Sequence, residues 1–446
     1  MTPKAAPMLP TASFVLLCRL PLVAVLGTAL LLTACGGGGG GSTAATPTAP
    51  SYNTDLSNVV PGDNTNLGGV AGLPTASGTN VAAVSIRQLS GSTTLTANSP
   101  YVTVTVCAPG GGSCQTIPDV LVDTGSTGLR LFSSALQYTS STALPPISSG
   151  GGTLAACAQF ASGYMWGSMR QALVQIGGET TTSAIPIQLM GDTTLPAVPN
   201  ACTAHGGVDF SSSFAGIANG ILGISNFVHD CGSACASAAG NGQYFTCSGS
   251  SCTGATAALA EQGINPIAAF VSDNNGSILV LPGVPLPGGA ASASGSLIFG
   301  INTQANNTLS ASVPLYPLDT SGNLSMTLNG AAQSGFVDSG SNGYYLALSG
   351  VPTCSSPATG FYCPAQAFSL SVGLQQADKS YGPVQNMVIG NALSMFQTQN
   401  TALPALGGTA AIGGYIDLGL PFFYGRSIAT GLEDPNGSAP NGYLAY

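Results

Sequence analysis

From Pro100 onward the chain alternates short apolar runs with turns rich in Gly, Pro, Asn and Ser. Tyr101 to Cys107 reads Tyr-Val-Thr-Val-Thr-Val-Cys, the period-two pattern of a half-buried strand, and Ala108 to Gly112 reads as the turn that follows. The next run, Asp119 to Phe132, is apolar up to Asp123 and continues at once with Thr124, Gly125 and Ser126. A carboxylate at the end of an apolar strand is costly unless it is hydrogen-bonded or used. Many short strands between turns, with no sustained helical period, predict an all-β chain.

The pattern then repeats. Gly335 to Leu346, laid against Val120 to Leu131 without gaps, matches at six of twelve positions: Val122 with Val337, Asp123 with Asp338, Gly125 with Gly340, Ser126 with Ser341, Gly128 with Gly343 and Leu131 with Leu346. One Asp-[Ser/Thr]-Gly-Ser in so Gly- and Ser-rich a chain is weak evidence, whereas two in matched apolar context predict two similar β lobes. Each lobe would present one Asp at a shared cleft. Two carboxylates at hydrogen-bonding distance cannot both ionise, so the pair holds one proton. One member can then deprotonate a water while the other protonates a carbonyl oxygen, which is peptide hydrolysis without a metal or a covalent intermediate. Thr124 and Ser339 supply hydroxyls around the pair, Ser126 and Ser341 follow in each motif, and Gly125 and Gly340 allow close backbone approach.

Composition narrows the function further. The chain has 446 residues, of which only 5% are charged: 7 Lys and Arg against 16 Asp and Glu. Seven cations cannot build a nucleic-acid groove. With 62 Gly, 30 Pro and few helix-favouring charged residues, helices are disfavoured, while 44% hydrophobic residues suffice for a large core.

Residues 1–34 read as a signal peptide: Lys4 and Arg19, an apolar run from Leu20 to Leu32, then small residues. Leu32-Thr33-Ala34-Cys35 resembles the lipobox of bacterial lipoproteins, which implies acylation of Cys35 and a membrane contact through that lipid. Its removal leaves five cations against the same 16 acids, a formal charge of −11. Residues 35–95, Gly/Ser/Thr/Pro-rich, read as a flexible tether, which as a coil of about 60 residues would span roughly 40 Å. The lobes are expected at 96–305 and 306–446. Ten cysteines remain, Cys107, Cys114, Cys157, Cys202, Cys231, Cys235, Cys247, Cys252, Cys354 and Cys363, an even set that suits five disulfides in an exported chain. Pairing sequence neighbours closes small loops and leaves Cys157 with Cys202; other connectivities stay open. No C-x-x-C occurs and the only histidines are His205 and His229, so neither a metal site nor a Ser/His catalytic pair is expected.

The two Asp motifs resemble those of pepsin-like aspartic proteases, and the similarity runs over most of residues 98–430. Gly220-Ile221-Leu222-Gly223-Ile224 and Leu418-Gly419 resemble the segments that close the ψ-shaped loop of each lobe, and Gly295 to Gly300 resembles the strand leading to the lobe junction. The stretches CAQFASGYMWG, NGILGIS, DNNG and GLPFFYGR are most similar to an uncharacterised group of bacterial pepsin-like lipoproteins. The resemblance implies a bilobal fold with pseudo-twofold lobes and a central cleft, with Asp123 and Asp338 catalytic. It also implies no cofactor and a polypeptide substrate bound as an extended strand by a monomer in the bacterial cell envelope, at the outer membrane or periplasmic face. Departures are visible. The hairpin flap over such a cleft carries a Tyr, and matching Val174 to Gly178 to the strand after it puts Phe160 there, with Tyr164 and Trp166 as substitutes. The family's Trp after the first motif is Arg130, a candidate to pair with an acid or a substrate carboxylate. These changes keep open a catalytically inactive surface-exposed binding protein on the same scaffold, or an envelope protein in which the lobes only pack.

Overall fold

The computed structural model describes residues 52–57, 59, 77–92, 94–137, 144–204, 206–213, 216–409 and 414–446. The signal peptide at 1–34, Cys35, most of the tether and His205 lie outside the described residues.

The strand Pro100–Cys107 shows how the alternating pattern is used: Val102, Val104 and Val106 are buried while Thr103 is exposed. It pairs antiparallel with Cys114–Asp123, with Cys107 opposite Cys114, so the tight hairpin is closed by its own disulfide. All five disulfides join the neighbours expected: Cys107–Cys114, Cys157–Cys202, Cys231–Cys235, Cys247–Cys252 and Cys354–Cys363.

Each Asp strand meets a closing strand that passes between it and the strand after the turn. In the first lobe Gly220–Ile224 runs parallel to Cys114–Asp123, with Leu222 opposite Val122, and antiparallel to Thr127–Phe132, with Leu222 opposite Leu129. In the second, Ile416–Leu418 runs parallel to Ala331–Val337, with Leu418 opposite Val337, and antiparallel to Tyr344–Tyr345, with Leu418 opposite Tyr344. The two ψ-loops are therefore related as their sequences are. Val122, Leu222, Val337, Leu418 and Tyr344 belong to one buried cluster that runs through both lobes. The fold class expected from the sequence, an all-β bilobal architecture of pepsin-like layout, is the one observed.

Two boundaries move. Val81–Ile86, inside the stretch read as tether, is a strand: it pairs with Ala293–Phe299 over six residues, and Ala82, Val84 and Ile86 are buried. Its alternation is masked in the sequence by flanking Gly, Ser and Thr. Further upstream, Asn53 bridges Ser369, and Tyr52 stacks on Phe368 with ring centroids 4.5 Å apart. Nor is 305/306 a break in hydrogen bonding. The seven-stranded sheet of the second lobe ends with Ile416–Leu418, after which Ser427–Gly431 returns to pair with Gly276–Val280 and Tyr443–Ala445 pairs beside it. Antiparallel pairing with the first-lobe sheet thus welds the C-terminal strands to it. No helix among the described residues is long and apolar enough to cross a membrane.

Candidate active site

Apolar strands deliver both carboxylates to the junction of the lobes. Asp123 and Asp338 are fully buried, and each is held by its own turn in the same way. The Gly125 amide donates to Asp123 Oδ1 at 2.9 Å and the Ser126 hydroxyl to Asp123 Oδ2. The Gly340 amide donates to Asp338 Oδ1 at 2.7 Å and the Ser341 hydroxyl to Asp338 Oδ2 at 2.7 Å. Charge-assisted bonds of this kind fix a carboxylate more firmly than neutral ones.

The turns also lock into each other. The Thr124 amide donates to Ser339 Oγ at 3.1 Å and the Ser339 amide to Thr124 Oγ1 at 2.9 Å. Each hydroxyl then donates across the junction, Thr124 to Val337 O at 3.2 Å and Ser339 to Val122 O at 2.8 Å. The glycines explain how near the carboxyls come. A Cβ on Gly125 would lie 2.6 Å from Asp338 Cγ, and one on Gly340 would lie 2.6 Å from Asp123 Oδ1. Each Asp therefore rests on the other turn's glycine, where any side chain would displace it. Gly125 itself is partly exposed, so the pair lies just under the floor of the cleft.

Burial pushes Asp123 well above the usual carboxylate range, and the charge of Asp338 pushes it the same way. Burial raises Asp338 too, against hydrogen bonds from Asp123, Ser341 and Gly340 that favour its anion. The proton belongs to the pair and is drawn toward Asp123. Because both values are raised on folding, the protonated pair stabilises the fold at low pH, and that contribution is lost as pH climbs through the raised values. Asp123→Asn, which mimics the neutral form, is expected to gain a few degrees in Tm over wild type as pH goes from about 4 to 8. Thermal unfolding across that range checks it; a constant difference would mean the pair does not titrate this way.

The other expected site residues lie elsewhere. Phe160 ends the hairpin of Gly152–Phe160 and Gly163–Ile176, but its ring is buried, packed with Tyr101, Leu121, Met165 and Ile221. Tyr164 is half-buried and pairs in register with Asp209. Trp166 is buried edge-on against Phe245, with centroids 5.4 Å apart, beside Cys157 and Cys202. Packing, then, is where the apolar area of Phe160 and Trp166 goes. Arg130 is 1% exposed, and of the two partners considered for it the structure has the acid: its guanidinium reaches Asp230 at 3.3 Å. It also donates to Thr127 O at 3.0 Å and to Gln188 Oε1 at 2.8 Å. Gln188 in turn donates to the hairpin carbonyls of Ala156, at 2.7 Å, and Met165, at 3.2 Å. So Arg130 ties the Asp123 turn to the hairpin from below and has no face open to a substrate carboxylate. Sequence reasoning missed Asp230, Gln188 and Tyr244, whose hydroxyl donates to Asp230 Oδ1 at 2.7 Å. Gln188 alone left a signal, a polar residue inside the apolar run Ile185–Met190. His229 forms an isolated bridge with Ile264. Among the described residues no three His, Cys, Asp or Glu side chains gather as a metal site would require.

Fold and site together define a bilobal all-β protein with a pepsin-like layout and one buried aspartate per lobe. Residues 76–446 match the model of the family described as "Protein of unknown function (DUF3443)", and the chain belongs to that family. No curated protein matches it. Among solved structures it is similar to the aspartic proteinase from Irpex lacteus, at 15% identity and a TM-score of 0.45, over 82% of this chain and 96% of that one.

Proposed function

We propose that the protein is an aspartic endopeptidase in which Asp123 and Asp338 share the catalytic water. The observation that carries this reading is the reciprocal cradle: two buried carboxyls, each fixed by a turn amide and a serine hydroxyl and each seated on the other turn's glycine. A water held between them gives its proton to the ionised member while its oxygen attacks the scissile carbonyl carbon. The protonated member gives its proton to the carbonyl oxygen. The resulting gem-diol collapses with cleavage of the C–N bond: the leaving amine takes up the proton that the pair received from water, and one gem-diol hydroxyl returns its proton to the other carboxylate as the C=O bond re-forms, which restores the starting state. A structural role alone gives no reason for two like-charged acids to be buried in contact.

The substrate would be an extended polypeptide laid across the cleft as a strand, with apolar side chains flanking the scissile bond. Cleavage is expected to peak in the acid range, because one proton must stay on the pair: full protonation stops it below and full ionisation above. Incubating the purified protein with an unfolded protein from about pH 3 to 7 tests this, with a statine-type transition-state mimic as the inhibitor. No cleavage anywhere in that interval sinks the reading. For the upstream residues we propose that 1–34 are removed on export and that Cys35 carries a lipid, as in the bacterial pepsin-like lipoproteins the sequence resembles.

A further inference from the structure

Four arginines lie among the described residues, and three have an aspartate. Arg87 pairs with Asp119, Arg130 with Asp230 at 3.3 Å and Arg170 with Asp192 at 2.6 Å. Arg426 has none: among the described residues no carboxylate lies within ion-pair distance of it. Yet it is only 5% exposed. Its Nη1 donates to Phe422 O at 2.5 Å, and its Nε and Nη2 both reach Gln385 Oε1, at 3.3 and 3.1 Å. The guanidinium also lies over the Phe422 ring, 4.5 Å from its centroid. Five N–H groups are available on a guanidinium, so one on Nη1 and one on Nη2 remain without a protein acceptor. An arginine cannot shed its proton to escape burial, and an unpaired buried charge is among the costlier things a fold can hold.

Arg426 lines a cavity at the seam between the two sheets. Tyr344 and Asn386 line it too, between apolar walls that include Val284, Val388 and Pro421. Val59, from the upstream segment, borders the same cavity. Guanidinium, phenol and carboxamide can all donate, and the Tyr344 phenol lies close enough to Arg426 for the cation to act against the upward push of burial on its pKa. The free volume is about 20 Å³, enough for one water-sized species.

We infer that this cavity, at Arg426, Tyr344 and Asn386, is a binding site for one compact monovalent anion, either a halide or the carboxylate head of a short apolar acid. The apolar walls suit such an ion because little hydration has to be replaced beyond what the donors provide. The site does not depend on the protease reading, since none of its residues holds the aspartate pair.

Thermal unfolding and calorimetric titration of the purified chain test it, with sodium chloride, bromide, acetate and butyrate compared against sulfate at constant ionic strength. A saturable rise in Tm with one of the monovalent series, weakened at least ten-fold in Arg426→Gln and in Tyr344→Phe, supports the site. Strongest response to the halides identifies an inorganic ion, and butyrate binding more tightly than acetate identifies an apolar acid. A rise that never saturates and is equal for sulfate overturns the proposal, as does binding unchanged in Tyr344→Phe. That variant removes a single hydroxyl, so it decides the matter even where Arg426→Gln fails to fold.

Discussion

Asp338→Asn is expected to lower peptide cleavage by about 10²- to 10⁴-fold while leaving the folded structure in place, the usual cost of removing one member of an acid–base pair. Asparagine can still accept from the Gly340 amide, and its NH₂ can donate to the Ser341 hydroxyl in place of the bond Ser341 now gives. What it cannot do is take a proton from water. Asp123, raised chiefly by burial and next by the Asp338 charge, would lose the second cause and keep the first, and in either protonation state a single carboxyl cannot be base for the water and acid for the carbonyl at once. The double variant with Asp123→Asn should be no worse than either single, because members of a catalytic unit are not additive. Initial rates on an unfolded substrate, with circular dichroism to confirm folding, check both statements. Full activity in Asp338→Asn would remove the dyad from the mechanism.

The largest effect on stability is expected at Arg130. Arg130→Met should cost about 3–5 kcal/mol near neutral pH, the usual consequence of leaving one partner of a buried ion pair uncompensated. Asp230 is fully buried, and burial already pushes its pKa up against the opposing pull of Arg130 and the Tyr244 hydrogen bond. Without the guanidinium its value rises further, so the variant's deficit should shrink as pH falls and Asp230 takes up a proton. Denaturant unfolding at two pH values measures this. Adding Asp230→Asn should recover a large share of the loss at neutral pH, and a deficit independent of both pH and Asp230 would assign the cost to packing alone.

What could be read from the chain follows from sequence distance. The Asp motifs, the ψ-closing segments and the disulfides are local patterns or repeats of local patterns, and a strand that must be apolar on both faces announces itself. The Arg130 network was hidden because its members come from positions 130, 188, 230 and 244, joined only by folding. The start of the fold was hidden for another reason: Val81–Ile86 is a single short strand whose partner lies more than two hundred residues later. The return of Ser427–Gly431 to the first sheet, to pair with Gly276–Val280, is also long-range and has no local mark. Of the residues expected at the flap, Phe160 and Trp166 have their rings committed to the interior, which their sequence context does not show.

The docking of Tyr52 on Phe368 has a consequence for any chain held by a lipid at Cys35. Tyr52 lies only seventeen positions after Cys35, and whatever its conformation the chain between them reaches at most roughly 60 Å. A leash that short keeps the second lobe within about one molecular diameter of the bilayer. On the peptidase reading proposed above, the polypeptides within its reach would be those presented at that surface, and the protein would act as a patrol of its own membrane and not of the bulk fluid around it.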